Sequence, residues 1–150
     1  MDADPRVAIE LERLAGASDQ QLQEYDRASA ARRLKWYRER FFDRPVPGEG
    51  PLEQAYRLLL LRLGIGEAEA PIVERGPDRL VFHSRNFCPT LEACKILNLD
   101  TRRVCRLYKE RATKELIRQV DSRLTFRRNY AKLRPHAGYC EEIIELRSLP

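Results

Sequence analysis

The chain has no long apolar run, no paired-cysteine metal signature and only two histidines, and each scarcity removes a class of function. Its longest apolar stretch, Leu58–Leu61, ends at Arg62, far short of the roughly 20 residues a membrane-spanning helix needs. No membrane association is expected. The N-terminal segment MDADPRVAIELE is acidic and lacks the apolar core of a secretory signal, so the expectation is a cytoplasmic protein in a reducing compartment. Cysteines there are buried thiols, metal ligands or reactive groups more often than disulfides. The four cysteines, Cys88, Cys94, Cys105 and Cys140, are spaced C-x5-C-x10-C-x34-C, so the C-x2-C of a zinc knuckle is missing. No internal repeat or low-complexity segment is visible.

What is present fits a globular chain. Of its 150 residues, 43% are hydrophobic and 34% are charged, which supports a buried core beneath heavily charged helix surfaces. The net charge of +5 is uneven: residues 1–75 carry 12 Lys/Arg against 14 Asp/Glu, and residues 76–150 carry 16 against 9. The half that holds all four cysteines is the basic half, a field suited to anionic partners.

Punctuation and periodicity predict an α+β fold over a single domain, 1–150, with a helical part at 1–64 and a cysteine-containing α+β part at 71–146. Asp4-Pro5 opens a short helix that Gly16 stops, and Ser18-Asp19 opens a longer one. Leu22, Tyr25, Ser29, Arg33, Trp36 and Phe41 track one side of that second helix, which ends at PVPGEGP. Pro51 begins a third helix, with Gly64 as its stop. Pro71–Glu74 and Arg79–His83 read as a β-hairpin around Gly76-Pro77-Asp78. Cys88-Pro89 opens a helix, and Asp100-Thr101 opens another whose core positions run from Val104 to Val120. Leu124–Phe126 and Tyr139–Leu146 read as the last two strands. The expected order is three helices, two strands, two helices and two strands, the strands forming a small, mostly antiparallel sheet.

Cys88 is the most distinctive thiol. It precedes Pro89 at a helix N-terminus, where unpaired amides and the positive dipole end favour a thiolate, and Arg85 lies three residues upstream. Cys94 reads as core. Cys140 shares a strand face with Glu142 and Ile144 by alternation. Catalysis through a thiol needs a base, and His83 and His136 are the candidates, with Glu92 or Glu142 to orient the ring. The candidate catalytic set is therefore Cys88, Cys105, Cys140, His83 and His136. Arg85, Glu92, Arg128 and Tyr139 are candidate ligand contacts. Ligands on separate elements can still converge, so Cys88, Cys94, Cys105 and Cys140 are also a candidate zinc or iron site. Against all of these stands the plain alternative of four buried, inert thiols.

Two basic-aromatic stretches make nucleic acid a competing, less favoured partner: Arg127–Arg134 around Tyr130, and Arg32, Arg33, Lys35, Trp36, Tyr37, Arg38 and Arg40. No reader motif accompanies them. Trp36, Phe41 and Phe42 either close the core, the favoured reading, or form an oligomer surface.

The residues Asn86-Phe87-Cys88-Pro89 with Glu92-Ala93-Cys94, then Val104-Cys105-Arg106, Leu124-Thr125-Phe126 and Gly138-Tyr139-Cys140-Glu141-Glu142 resemble a bacterial group of L-2-amino-thiazoline-4-carboxylic acid hydrolase-like proteins. They are more distantly similar to the small-molecule-binding domain named after 4-vinyl reductase. The resemblance spans Arg79 to Leu146 and departs from the group's pattern at Glu141-Glu142, where an Asp-Phe-type pair is usual. It implies an α+β domain with a ligand pocket between sheet and helices and Cys88, Cys105 and Cys140 meeting at that pocket, with cysteine-dependent hydrolysis as a further expectation; the basic half matches a small anionic ligand. The alternatives are a metal- or cofactor-binding sensor built on the same cysteines and a nucleic-acid-binding adaptor.

Overall fold

Helix boundaries follow local capping chemistry. A computed structural model describes residues 4–148; the remainder of the segment 1–150 lies outside the described residues. The Asp4 carboxylate accepts from the Arg6 amide at 2.8 Å at the start of α1 (Pro5–Leu14). Ser18 and Gln21 exchange hydrogen bonds in a capping box at the start of α2 (Asp19–Phe41). α3 (Gly50–Leu63) ends at Gly64, whose φ of 70° is the left-handed conformation that favours glycine. A single 3-10 turn, Glu67–Glu69, leads to the hairpin of β1 (Ile72–Arg75) and β2 (Arg79–Ser84). Then follow α4 (Pro89–Leu97), α5 (Thr101–Tyr108), α6 (Glu110–Ile117), β3 (Leu124–Arg128) and β4 (Cys140–Leu146).

The fold is α+β. Its sheet is antiparallel throughout, in the order β1-β2-β4-β3. Register decides which side chains meet. Ser84 lies opposite Cys140, Phe82 opposite Glu142 and Leu80 opposite Ile144, while Phe126 and Arg128 lie opposite Ile144 and Glu142. Alternation puts all of these on one face. The other face carries Val81, His83, Glu141, Ile143 and Arg127.

The first face meets α3 and α6. Tyr56, Leu59 and Leu60 of α3 and Leu116 and Ile117 of α6 pack with Leu80, Phe82, Phe126 and Ile144 in the main core. Each such side chain contributes about 1.5–3 kcal/mol on burial. A second apolar cluster joins Leu14 and Leu22 to Ala93, Cys94, Val104 and Tyr108. α1 lies on α4, and α2 on α5 and α6. Trp36 and Phe41 pack against the main core, whereas Phe42 is 81% exposed.

One element departs from expectation. The sequence predicts a single helix from Thr101 to about Val120; the chain instead breaks at Lys109 (φ −129°, ψ −29°) into α5 and α6. The cause is non-local. Asp26, buried in α2, accepts from the amides of Arg111 and Ala112 at 3.1 and 3.0 Å and so caps α6 from outside. Burial pushes the Asp26 carboxyl above its ordinary range, and these two amide bonds oppose that shift. Asp26→Ala should cost about 1–3 kcal/mol, because it removes a cap and strands two amides. Urea denaturation measures this, and a loss no greater than that of an exposed helix substitution contradicts the capping role.

Candidate functional site

Beside the main core lies a cavity of about 440 Å³, within the size range of small-molecule sites. Its apolar wall is Leu59, Leu60, Phe82, Phe126 and Leu133. Its polar groups are mostly cationic: Arg6, Arg33, Arg62, Lys109, Arg128 and Arg134 line it, with Glu142 as the one carboxylate among the described lining residues. Cys88, Cys105 and Cys140 line it as well.

Each side chain arrives for a local reason. Cys88 is the N-cap of α4, its Sγ accepting from the Leu91 amide at 3.5 Å. Cys105 and Lys109 are one helical turn apart, and so share a side of α5. Cys140 and Glu142 alternate inward from β4, and Arg128 does so from β3. Arg134, in the segment between β3 and β4, donates through Nε to the Cys140 Sγ at 3.3 Å and through Nη1 to the Asn86 carbonyl at 2.7 Å. Its own carbonyl accepts from the Thr101 hydroxyl at 2.8 Å. One arginine thus ties the exit of β2, the start of α5 and the start of β4 at the cavity wall.

The electrostatics are unbalanced. Arg128 pairs with Glu142 at 3.1 Å, and both side chains are 12% exposed. Burial is the largest influence and would lower the Arg128 pKa, but the Glu142 carboxylate together with the other groups beside it outweighs burial, and the net direction is upward. Nη1 of Arg128 is nevertheless buried without a hydrogen-bond partner. Arg33 donates to the Thr113 hydroxyl at 3.3 Å, and its pKa falls to about 10, through burial first and then the like charges of Arg62 and Arg128. Lys109 is likewise shifted downward, chiefly by burial. Among the described residues, Arg33, Arg62 and Lys109 have no carboxylate within ion-pair distance. Half-buried cations without counter-ions are costly, and an anion in the cavity relieves that cost.

The thiols differ from one another. Burial pushes Cys94 up to about 12 and Cys105 up to about 11, Arg128 partly opposing the latter. Both are therefore neutral thiols near pH 7, and Cys94 belongs to the second apolar cluster. The folded chain holds these two protons more tightly than the unfolded chain, whose thiols titrate near 9.0. Their contribution to stability is complete below that value and is lost as pH climbs through 11 to 12. Unfolding free energy in reducing buffer should therefore drop in the alkaline range, and Cys94→Ala should flatten the drop. Urea melts across that range report the slope; an identical slope in the variant contradicts the assignment.

The other sequence candidates lie elsewhere. His83 points from the opposite sheet face, where Nε2 meets the Glu141 carboxylate at 3.0 Å and the ring stacks on Tyr139 at 3.9 Å. Arg85 is exposed, 5.8 Å from the Tyr139 ring. His136 is exposed. Glu92 pairs with Lys95 on α4. None of His83, His136, Arg85, Glu92 or Tyr139 lines the cavity, so the expected cysteine–histidine pairing is not assembled there. Of the expected ligand contacts, Arg128 alone reaches it. The four cysteines do not gather as a metal set: among the described residues, no three His, Cys, Asp or Glu side chains are grouped to hold a metal ion. Zinc or iron ligation by Cys88, Cys94, Cys105 and Cys140 therefore has no assembled donor set.

The basic-aromatic stretches are also partly inside the fold. Arg106 covers the half-buried Tyr130 ring at 4.6 Å, and Trp36 lies between Arg40 and Arg62 at 5.8 and 5.4 Å. No described helix is long and apolar enough to cross a membrane. Lys109 and Arg62 are site residues that motif reading passed over, and Arg33 and Arg134 entered it only within the basic-aromatic stretches. Their signals were faint: Arg62 interrupts a leucine run, and Arg33 interrupts an otherwise mostly uncharged helix stripe. In comparisons with protein-family models, curated proteins and solved structures, nothing matches this chain.

Proposed function

We propose that the protein binds a small organic anion with an apolar body in the cavity between its sheet and helices. The observation that carries this reading is the set of cations, Arg33, Lys109, Arg62 and Arg128, lining one cavity that also has an apolar wall of Leu59, Leu60, Phe82, Phe126 and Leu133. The unpartnered Nη1 of Arg128 supports it, since a buried donor without an acceptor is rare in native proteins. The apolar wall sets the body of the ligand and the guanidinium groups set its charged end, a division usual in small-molecule sites.

Binding is favoured over hydrolysis through a thiol. Cys105 is held as a neutral thiol, both histidines lie outside the cavity, and Glu142 is committed to Arg128. The hydrolase-like resemblance thus contributes a pocket to this proposal, and the charge of the basic half the anionic ligand; the reaction is not carried over. The test is thermal unfolding in the presence of aromatic and aliphatic carboxylates and organic phosphates, each beside its neutral amide or alcohol. Anions should raise the midpoint, as any ligand of the folded state does, and their neutral counterparts should not. Equal shifts from both, or from neither, count against the proposal.

A further inference from the structure

Lys109 differs from the paired surface lysines. Lys35, Lys95 and Lys132 reach Glu39, Glu92 and Glu141 at the surface, whereas Lys109 sits at the α5–α6 break and lines the cavity. Its ammonium nitrogen lies 4.8 Å from the Tyr108 ring centroid. Cys105 precedes it by one turn, Cys88 comes from the start of α4, and Arg33 from α2 and Arg128 from β3 line the same space. Glu10 of α1 also acts on it. Burial and the like charge of Arg33 favour the uncharged amine; Glu10 opposes them, and the net direction is toward the amine. An amine desolvated beside another cation is the environment in which lysine becomes a nucleophile toward carbonyl groups.

We propose that Lys109 forms an imine with the carbonyl of an α-keto acid whose carboxylate is held by Arg33 and Arg128. This rests on reading the cavity as an organic-anion site, and it names the substrate class. Arg33 and Arg128 line the same cavity as the amine, and an α-keto acid is the shortest ligand that carries a carboxylate and a carbonyl together. The neutral Nζ adds to the carbonyl carbon, forming the C–N bond. The carbonyl oxygen takes up both protons of the nitrogen and leaves as water, and a neutral C=N bond remains. No oxidant or reductant is consumed.

The experiment incubates the full chain with phenylpyruvate and sodium cyanoborohydride, which reduces the imine to a stable secondary amine. Intact mass should show one adduct per chain, equal to the ligand mass less one oxygen atom, and peptide mapping should place it on Lys109. Lys109→Arg should abolish the adduct, while Lys95→Arg should retain it. Absence of an adduct, labelling spread over surface lysines, or an adduct that survives Lys109→Arg overturns the proposal. Should Lys109→Arg fail to fold, the peptide map of the unaltered chain decides alone. Phenyllactate, which has no carbonyl beside its carboxylate, separates the two levels. If it raises the melting midpoint while phenylpyruvate is not trapped, the imine step is refuted and the anion site stands. If neither acid raises the midpoint and nothing is trapped, both fall.

Discussion

Glu142→Gln should destabilise the fold by about 3–5 kcal/mol, the range for removing one member of a buried ion pair. Glu142 accepts from Arg128 Nε at 3.1 Å, and each side chain is only 12% exposed, so solvent screens the pair weakly. The substitution keeps the shape of the side chain and removes its charge. Arg128 then stands buried beside Arg33, with no carboxylate among the described lining residues. Because the penalty comes from the stranded charge, replacing both partners (Arg128→Met with Glu142→Leu) should recover most of the loss. Urea denaturation of Glu142→Gln, of Arg128→Met and Glu142→Leu singly, and of the double variant supplies the comparison. A Glu142→Gln loss below about 1 kcal/mol, the size of an exposed pair, contradicts the account.

Arg33→Met should act in the opposite sense. It deletes a cation whose pKa burial and the like charges of Arg62 and Arg128 have already lowered to about 10. The apo protein should therefore melt no earlier than the parent chain, and the lost bond to the Thr113 hydroxyl is the one term against this. Affinity for an organic anion should fall by about 10- to 150-fold, the equivalent of one charge-assisted hydrogen bond. Higher stability paired with lost binding is the signature of a functional site that carries unbalanced charge. Titration calorimetry beside a thermal melt measures both, and unchanged affinity contradicts the assignment of Arg33.

Much of the scaffold was readable from local chemistry. Asp4, Ser18, Cys88 and Asp100 each cap the helix that their sequence context announces. Strand alternation placed Cys140, Glu142 and Ile144 on one face, and the register of β4 against β2 turns that face inward. The same alternation sets His83 on the face opposite Phe82 and Ser84, so its separation from Cys88 was implicit in the strand. The break at Lys109 was not readable, because its cause, Asp26, lies 85 positions from Arg111. Without the break, Lys109 reads as one more charge on a long amphipathic helix. Arg33 was ambiguous for a related reason. An arginine on a mixed helix stripe reads equally well as a solvated charge until the opposing wall is known, and that wall comes from β3 and α6.

The most direct test of the central claim is to locate the bound anion. Backbone amide shifts should be followed while the chain is titrated with a carboxylate that raises its melting midpoint. The account predicts that the largest changes fall on the cavity wall, at Cys88, Cys105, Lys109, Phe126, Arg128 and Cys140. Changes confined to the outer charges of α2, at Arg32, Lys35 and Arg38, would contradict it and make the basic surface, not the cavity, the binding feature of this protein.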